Sequence, residues 1–96
     1  MLILVVYDIR CSTSEGKRRL HKVSKYCESL GKRVQNSVFE CLLDASQFRQ
    51  FKSSLASMID PEWDLLRFYN LGNTYENRID SVGNSSQDYY ENPIIL

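Results

Sequence analysis

No apolar run in this 96-residue sequence approaches the ~18 residues that a membrane span requires, because Leu2 to Tyr7 is followed at once by Asp8. The same run has no basic n-region before it and no cleavage-type tail after it, so it does not read as a signal peptide, and a cytoplasmic location is expected. Cysteine is sparse and odd in number. Cys11, Cys27 and Cys41 lie 16 and 14 residues apart with no Cys-x-x-Cys pair, which argues against a disulfide framework or a zinc site and for reduced thiols. The four glycines are isolated, so no phosphate-cradling loop is present. No Ser, Cys or His stands in a recognisable nucleophile arrangement. The single histidine, His21, lies amid Arg19 and Lys22 and reads as a solvated side chain rather than a general base. Net charge is absent too, with 12 basic against 12 acidic side chains.

What is present describes a folded chain. Hydrophobic residues make up 43% and charged residues 25%, which argues against disorder over most of the length. The length allows one domain or half of a symmetric assembly. A chain of ~100 residues buries roughly 60–65% of its unfolded surface, so a small core of this kind gains from oligomerisation. Charge is balanced overall but not locally. Residues 1–33 hold eight basic and three acidic side chains, a net +5, while residues 34–70 sum to −2 and residues 71–96 to −3. A polyanion would meet the first third. The plain alternative is that Lys17 to Lys25 forms the wet face of a helix.

The hydrophobic pattern gives a short list of elements. Leu2 to Tyr7 is a continuous apolar run ending at an acid, the mark of a strand covered on both faces. Ser12 and Glu15 stand at capping-box spacing and open a helix with apolar Leu20, Val23, Cys27 and Leu30, stopped by Gly31. Arg33 to Leu43 reads as extended chain, broken near Asn36-Ser37 by a turn or bulge. Asp44 and Gln47 open a second helix with apolar Phe48, Phe51, Leu55, Met58 and Ile59, ended by Asp60-Pro61. Trp63 to Tyr69 is a strand, Ile79 to Val82 a weak one, and Gly83 to Asn92 a loop.

Strand, helix, two strands, helix, strand is the order of an α+β, ferredoxin-like βαββαβ sandwich. Residues 1–96 are expected to form one such domain, with 71–96 as a C-terminal extension. Its Ile94-Ile95-Leu96 is too apolar for a solvated tail and is expected to add as an extra strand to a second subunit, making a homodimer whose interface includes these residues. The alternative is a frayed end. Asp8 stands where the central strand hands over to the loop before the basic helix, a position where sites collect. One carboxylate holds a hard cation weakly, since magnesium takes ~6 oxygens. Two copies of Asp8 with a substrate phosphate would complete the shell. The plain reading of Asp8 is a turn or capping residue. Tyr69, Tyr75, Tyr89 and Tyr90 are candidates for base stacking, with surface packing as the alternative.

The start MLILVVYDI, the stretch KRRLHKVSKYCESLGKRVQNSVFECLLD, the later DPEWDLLRFYNLG and the closing RIDSVGN and ENPIIL together resemble the Cas2 family, the small CRISPR-associated endonucleases of the spacer-adaptation complex. The Ser/Thr-containing loop Cys11 to Ser14 is most similar to the branch found with type I systems. The resemblance implies a homodimer of ferredoxin-like subunits with exchanged C-terminal strands, which bridges the CRISPR integrase and helps hold spacer DNA. It also implies a metal-dependent endonuclease acting on single-stranded RNA or double-stranded DNA with Mg2+ or Mn2+. On that resemblance Asp8 is the catalytic, metal-binding residue, and Tyr7, Arg18, Arg19, Arg33 and Phe39 are the nucleic-acid-binding positions. Many members carry a further acid just after the Tyr-Asp pair, where this chain has Arg10, Cys11 and Ser12. Two alternatives stand beside this reading: a non-catalytic structural bridge and DNA-binding adaptor, and a VapD-like ribonuclease toxin that shares the fold.

Overall fold

The structure, a computed structural model, describes residues 1–83. A strand β1 (Leu2–Asp8) leads to a helix α1 (Ser14–Leu30), a hairpin of β2 (Lys32–Gln35) and β3 (Val38–Leu42), a second helix α2 (Ala45–Met58) and a last strand β4 (Leu65–Asn70). The four strands form one sheet in the order β2-β3-β1-β4, and every pairing is antiparallel. This is the expected α+β, ferredoxin-like order, with the apolar β1 in the middle of the ladder. Both helices cover one sheet face. There Ile3, Val5, Tyr7, Phe39 and Cys41 are buried together with Val23 and Cys27 of α1 and Phe51 and Leu55 of α2.

Local signals account for most boundaries. The second helix starts with a reciprocal capping box, in which Gln47 N–H donates to Asp44 Oδ1 (2.7 Å) and Asp44 N–H to Gln47 Oε1 (2.9 Å). The first helix is capped by Thr13 rather than Ser12, since Thr13 Oγ1 accepts from Gly16 N–H at 3.0 Å. Gly31 ends α1, but not in the left-handed conformation typical of such stops. Its backbone is extended (φ −154°), and a side chain there would strike Cys41 Sγ and the Glu40 carbonyl. Glycine is needed because helix and sheet meet backbone to side chain at that point. Asn36-Ser37 forms the turn between β2 and β3, at the expected break, and the register shifts just before it, between Arg33 and Gln35.

Three expectations are corrected. Trp63 does not open the last strand; it lies in a turn, and pairing begins at Leu65. Leu30 is exposed instead of joining the core. Ile79 to Val82 forms no strand; a short 3-10 helix (Tyr75–Arg78) precedes it, and Val82 is fully exposed. The expected interface residues Ile94, Ile95 and Leu96, and the exchange of the C-terminal extension, lie outside the described residues.

Alternation along the strands leaves the second sheet face uncovered. It presents Leu4 and Val6 of β1, Val38 and Leu42 of β3, and Leu65 and Tyr69 of β4, with Glu40 and Arg67 among them. Leu42, Leu65 and Tyr69 are 40%, 56% and 43% exposed.

Candidate nucleic-acid interface

Asp8 closes β1, where its Cα partner is Leu65 of β4. Because Tyr7 points into the helical face, the next side chain points to the open one. Asp8 is exposed, and its side chain takes part in no hydrogen bond or ion pair among the described residues. A carboxylate at the mouth of a buried strand with no protein partner is available to an external cation. One chain contributes a single such group, and no cluster of three His, Cys, Asp or Glu side chains suited to a metal occurs among the described residues.

The loop after Asp8 is held in place by a residue that sequence reasoning missed. Asp64 is buried, and its carboxylate accepts from the N–H groups of Arg10 (3.0 Å) and Asp60 (2.9 Å) and from Arg19 Nε (2.7 Å) and Nη2 (3.3 Å). Burial by itself pushes this carboxyl up. The Arg19 hydrogen bond and the two backbone N–H groups outweigh it and hold Asp64 below the usual carboxylate range. One side chain thus ties together the β1–α1 loop, helix α1 and the turn before β4. Gly16 completes the junction, since a side chain there would run into the Arg10 carbonyl and the Cys11 backbone. The signal for Asp64 was available. It shares strand parity with Leu66 and Phe68, both packed against the core, so the run WDLLRF carries an acid on its inward side.

The remaining expected contact residues fall into two groups. Arg18 is exposed on α1, beside Lys17, His21, Lys22 and Lys25, and this stripe is the basic surface of the molecule's first third. Arg19 points the other way and spends its guanidinium on Asp64. Tyr7 and Phe39 are interior, at 3% and 0% exposure, with ring centroids 6.2 Å apart. Neither ring faces solvent in one chain. They act as a base for Arg33, whose guanidinium lies 4.7 Å from the Phe39 centroid. Arg33 donates to Glu28 Oε2 (2.9 Å) and to the Asn36 carbonyl (2.5 Å), and the Tyr7 hydroxyl, bonded to Ser24 Oγ (2.8 Å), donates to the same carbonyl (3.3 Å). Tyr7, Arg33 and Phe39 are therefore brought together beside the β2–β3 turn, which lies at the end of β1, where the Tyr7 N–H donates to the Ser37 carbonyl (3.1 Å). Of the thiols, Cys27 and Cys41 are buried and pushed up to about 12 by burial, and Cys11 is exposed.

Comparison with known proteins follows the same geometry. The family model for the CRISPR associated protein Cas2 matches residues 1–79. A protein of Halalkalibacterium halodurans named CRISPR-associated endonuclease Cas2 is 45% identical over the whole of both chains. One of Chlorobaculum tepidum named CRISPR-associated endoribonuclease Cas2 is 42% identical, again over the whole of both. Among solved structures, Cas2 of Streptococcus pyogenes superposes with a TM-score of 0.74 at 42% identity, covering 86% of this chain and 100% of that one. A hypothetical protein of Thermus thermophilus gives 0.71 at 30% identity, covering 88% and 92%.

Proposed function

The chain belongs to the CRISPR-associated Cas2 family, and from that premise we propose that it is a homodimeric, metal-dependent endonuclease that hydrolyses phosphodiester bonds of RNA or double-stranded DNA in spacer acquisition, together with the CRISPR integrase. The observation that carries this reading is Asp8: an exposed carboxylate without a protein partner, at the end of the central strand and on the sheet face that the helices leave bare. Mg2+ or Mn2+ takes about six oxygen donors and retains several waters. One chain fits such an ion only as a half-site. A second copy laid against the open face would bring a second Asp8, and water and phosphate oxygens would fill the remaining positions.

When bound, the ion supplies positive charge to the phosphate and lowers the pKa of a water. The chain's own residues do the rest. The exposed bases of α1, Arg18 foremost, hold the sugar–phosphate backbone by charge and without reading sequence. Arg33 is braced by Phe39 and the Asn36 carbonyl, which fixes its guanidinium at the rim. Arg19 acts at one remove, through Asp64, on the loop that follows Asp8.

Replacement Asp8→Asn removes the charge while keeping the shape. Cleavage of labelled RNA and duplex DNA is expected to disappear, as it is on adding a chelator, with the oligomeric state unchanged. Full-rate cutting by Asp8→Ala, purified free of host nuclease, overturns the assignment. The small acidic inventory, one carboxylate per chain at this position, favours a second reading in which the protein is a structural bridge and DNA-binding adaptor of the integration complex. An integration assay with Asp8→Asn separates the two, since a bridge integrates spacers normally without the carboxylate.

A further inference from the structure

Trp63 is the single tryptophan of the chain, and 52% of it is exposed. It stands in the turn between α2 and β4, fixed by its own N–H and that of Asp64, which donate to the Asp60 carbonyl at 3.0 and 2.8 Å. The Arg10 guanidinium lies 4.3 Å from the centroid of its ring and makes no ion pair among the described residues. The pairing is not accidental to the fold, because Asp64 ties the Arg10 backbone to this turn. The pair lies next in sequence to the candidate carboxylate. Asp8 and Leu65 form the last pair of the β1–β4 ladder, and Arg10 and Trp63 each stand two residues beyond it, where the cation–π contact brings them together. A cleft of about 370 Å³ opens there, with Ser12, Glu15 and Asp60 on its walls.

We propose that Trp63 and Arg10 form a stacking platform that grips one nucleotide of a single-stranded nucleic acid next to Asp8, with the base on the indole and the adjoining phosphate on the guanidinium. The proposal deepens the nuclease reading and rests on it for the class of substrate. An indole face suits any base, and an exposed cation–π contact is weaker than a base–indole stack, so an arriving base displaces the guanidinium toward its own phosphate. Glu15 and Asp60 make the cleft unfavourable for a free anion. They suit a nucleotide, whose base can donate from exocyclic amino groups to the two carboxylates.

The indole is also the reporter. The full chain carrying Asp8→Asn, in chelator, is titrated with a short single-stranded oligonucleotide while tryptophan emission is followed. Saturable quenching is expected, and an abasic oligonucleotide of equal length leaves the emission unchanged. With a labelled strand and anisotropy as readout, Trp63→Ala binds roughly tenfold more weakly and Trp63→Phe recovers most of the loss. Arg10→Ala lowers the slope of log affinity against log salt by about 0.7, the value for one phosphate on a single strand. Trp63 is half exposed, so these variants are expected to keep the wild-type circular dichroism. Absence of quenching, equal quenching by the abasic strand, or undiminished binding by Trp63→Ala overturns the platform. An indole that responds to a protein partner but to no oligonucleotide does so too. No cleavage is measured, so failure here leaves the role of Asp8 standing, and cutting by Asp8→Ala leaves the platform standing.

Discussion

Asp64 belongs to no helix and to no strand, yet four donors converge on its carboxylate. Removing one partner of a buried pair strands the other charges, so Asp64→Ala is expected to cost about 3 kcal/mol. For a chain of this size that lowers Tm by more than about 10 °C, read by thermal circular dichroism. The pH dependence has a definite sign. The folded carboxyl lies below its ordinary range, so its contribution is complete above the unfolded value near pH ~4 and is lost as pH falls through the folded value. Wild type should therefore lose stability more steeply on acidification below pH ~4 than Asp64→Asn, and equal slopes would show that the carboxylate is not coupled to folding. At this scale Asp8 was legible in the sequence, because an acid closing an unbroken apolar run can only stand at a strand end. Tyr7 and Phe39 were not. Their burial under Arg33 depends on which sheet face the helices cover, and no residue type records that.

Helix α1 shows how an element is fixed by what it touches as well as by its caps. Its start at Thr13 and its stop at Gly31 are local facts, but both of its essential glycines are tertiary ones. Gly16 lies against the Arg10 carbonyl, and Gly31 against Cys41 and Glu40, so Gly16→Ala and Gly31→Ala force overlaps that only a shift of backbone relieves. Each is expected to destabilise the fold by about 1–3 kcal/mol, measured as a lower denaturant midpoint. Ordinary helical glycines behave in the opposite way, since replacement by alanine there is favourable. A gain of stability at Gly16 would contradict the close packing of α1 on the loop after Asp8. The capping box of α2 and the stop at Asp60-Pro61 were readable in full, because those signals act within one turn of chain. The start of β4 was not, since Trp63 and Leu65 are equally suited to a strand and the turn closed on the Asp60 carbonyl decides between them.

For the whole molecule the open sheet face is the dominant feature. Leu42, Leu65 and Tyr69 are each exposed by two fifths or more, in line with Leu4, Val6 and Val38. A largely apolar sheet face left uncovered, with Glu40 and Arg67 set among its apolar residues, marks an association surface. A dimer closed over it, reinforced by the C-terminal residues, is therefore the expected state by light scattering. Deleting Pro93 to Leu96 should weaken the dimer, shifting its dissociation to higher protein concentration, and an unaltered dimer would rule out the exchange of Ile94 to Leu96. Among the described residues no helix is long and apolar enough to cross a membrane.

Periodicity, caps and the single acid after an apolar run determined the order of elements and the position of Asp8, because each of these follows from interactions within a few residues along the chain, and the unbroken apolarity of β1 marked it as a strand to be covered on both faces. The tertiary structure alone decided that Tyr7 and Phe39 are interior, that Arg19 serves Asp64, and that Arg10 and Trp63 meet beside Asp8. Those outcomes depend on contacts between residues 32 to 54 positions apart, and their partners are chosen by the register of the sheet and by which face the two helices cover.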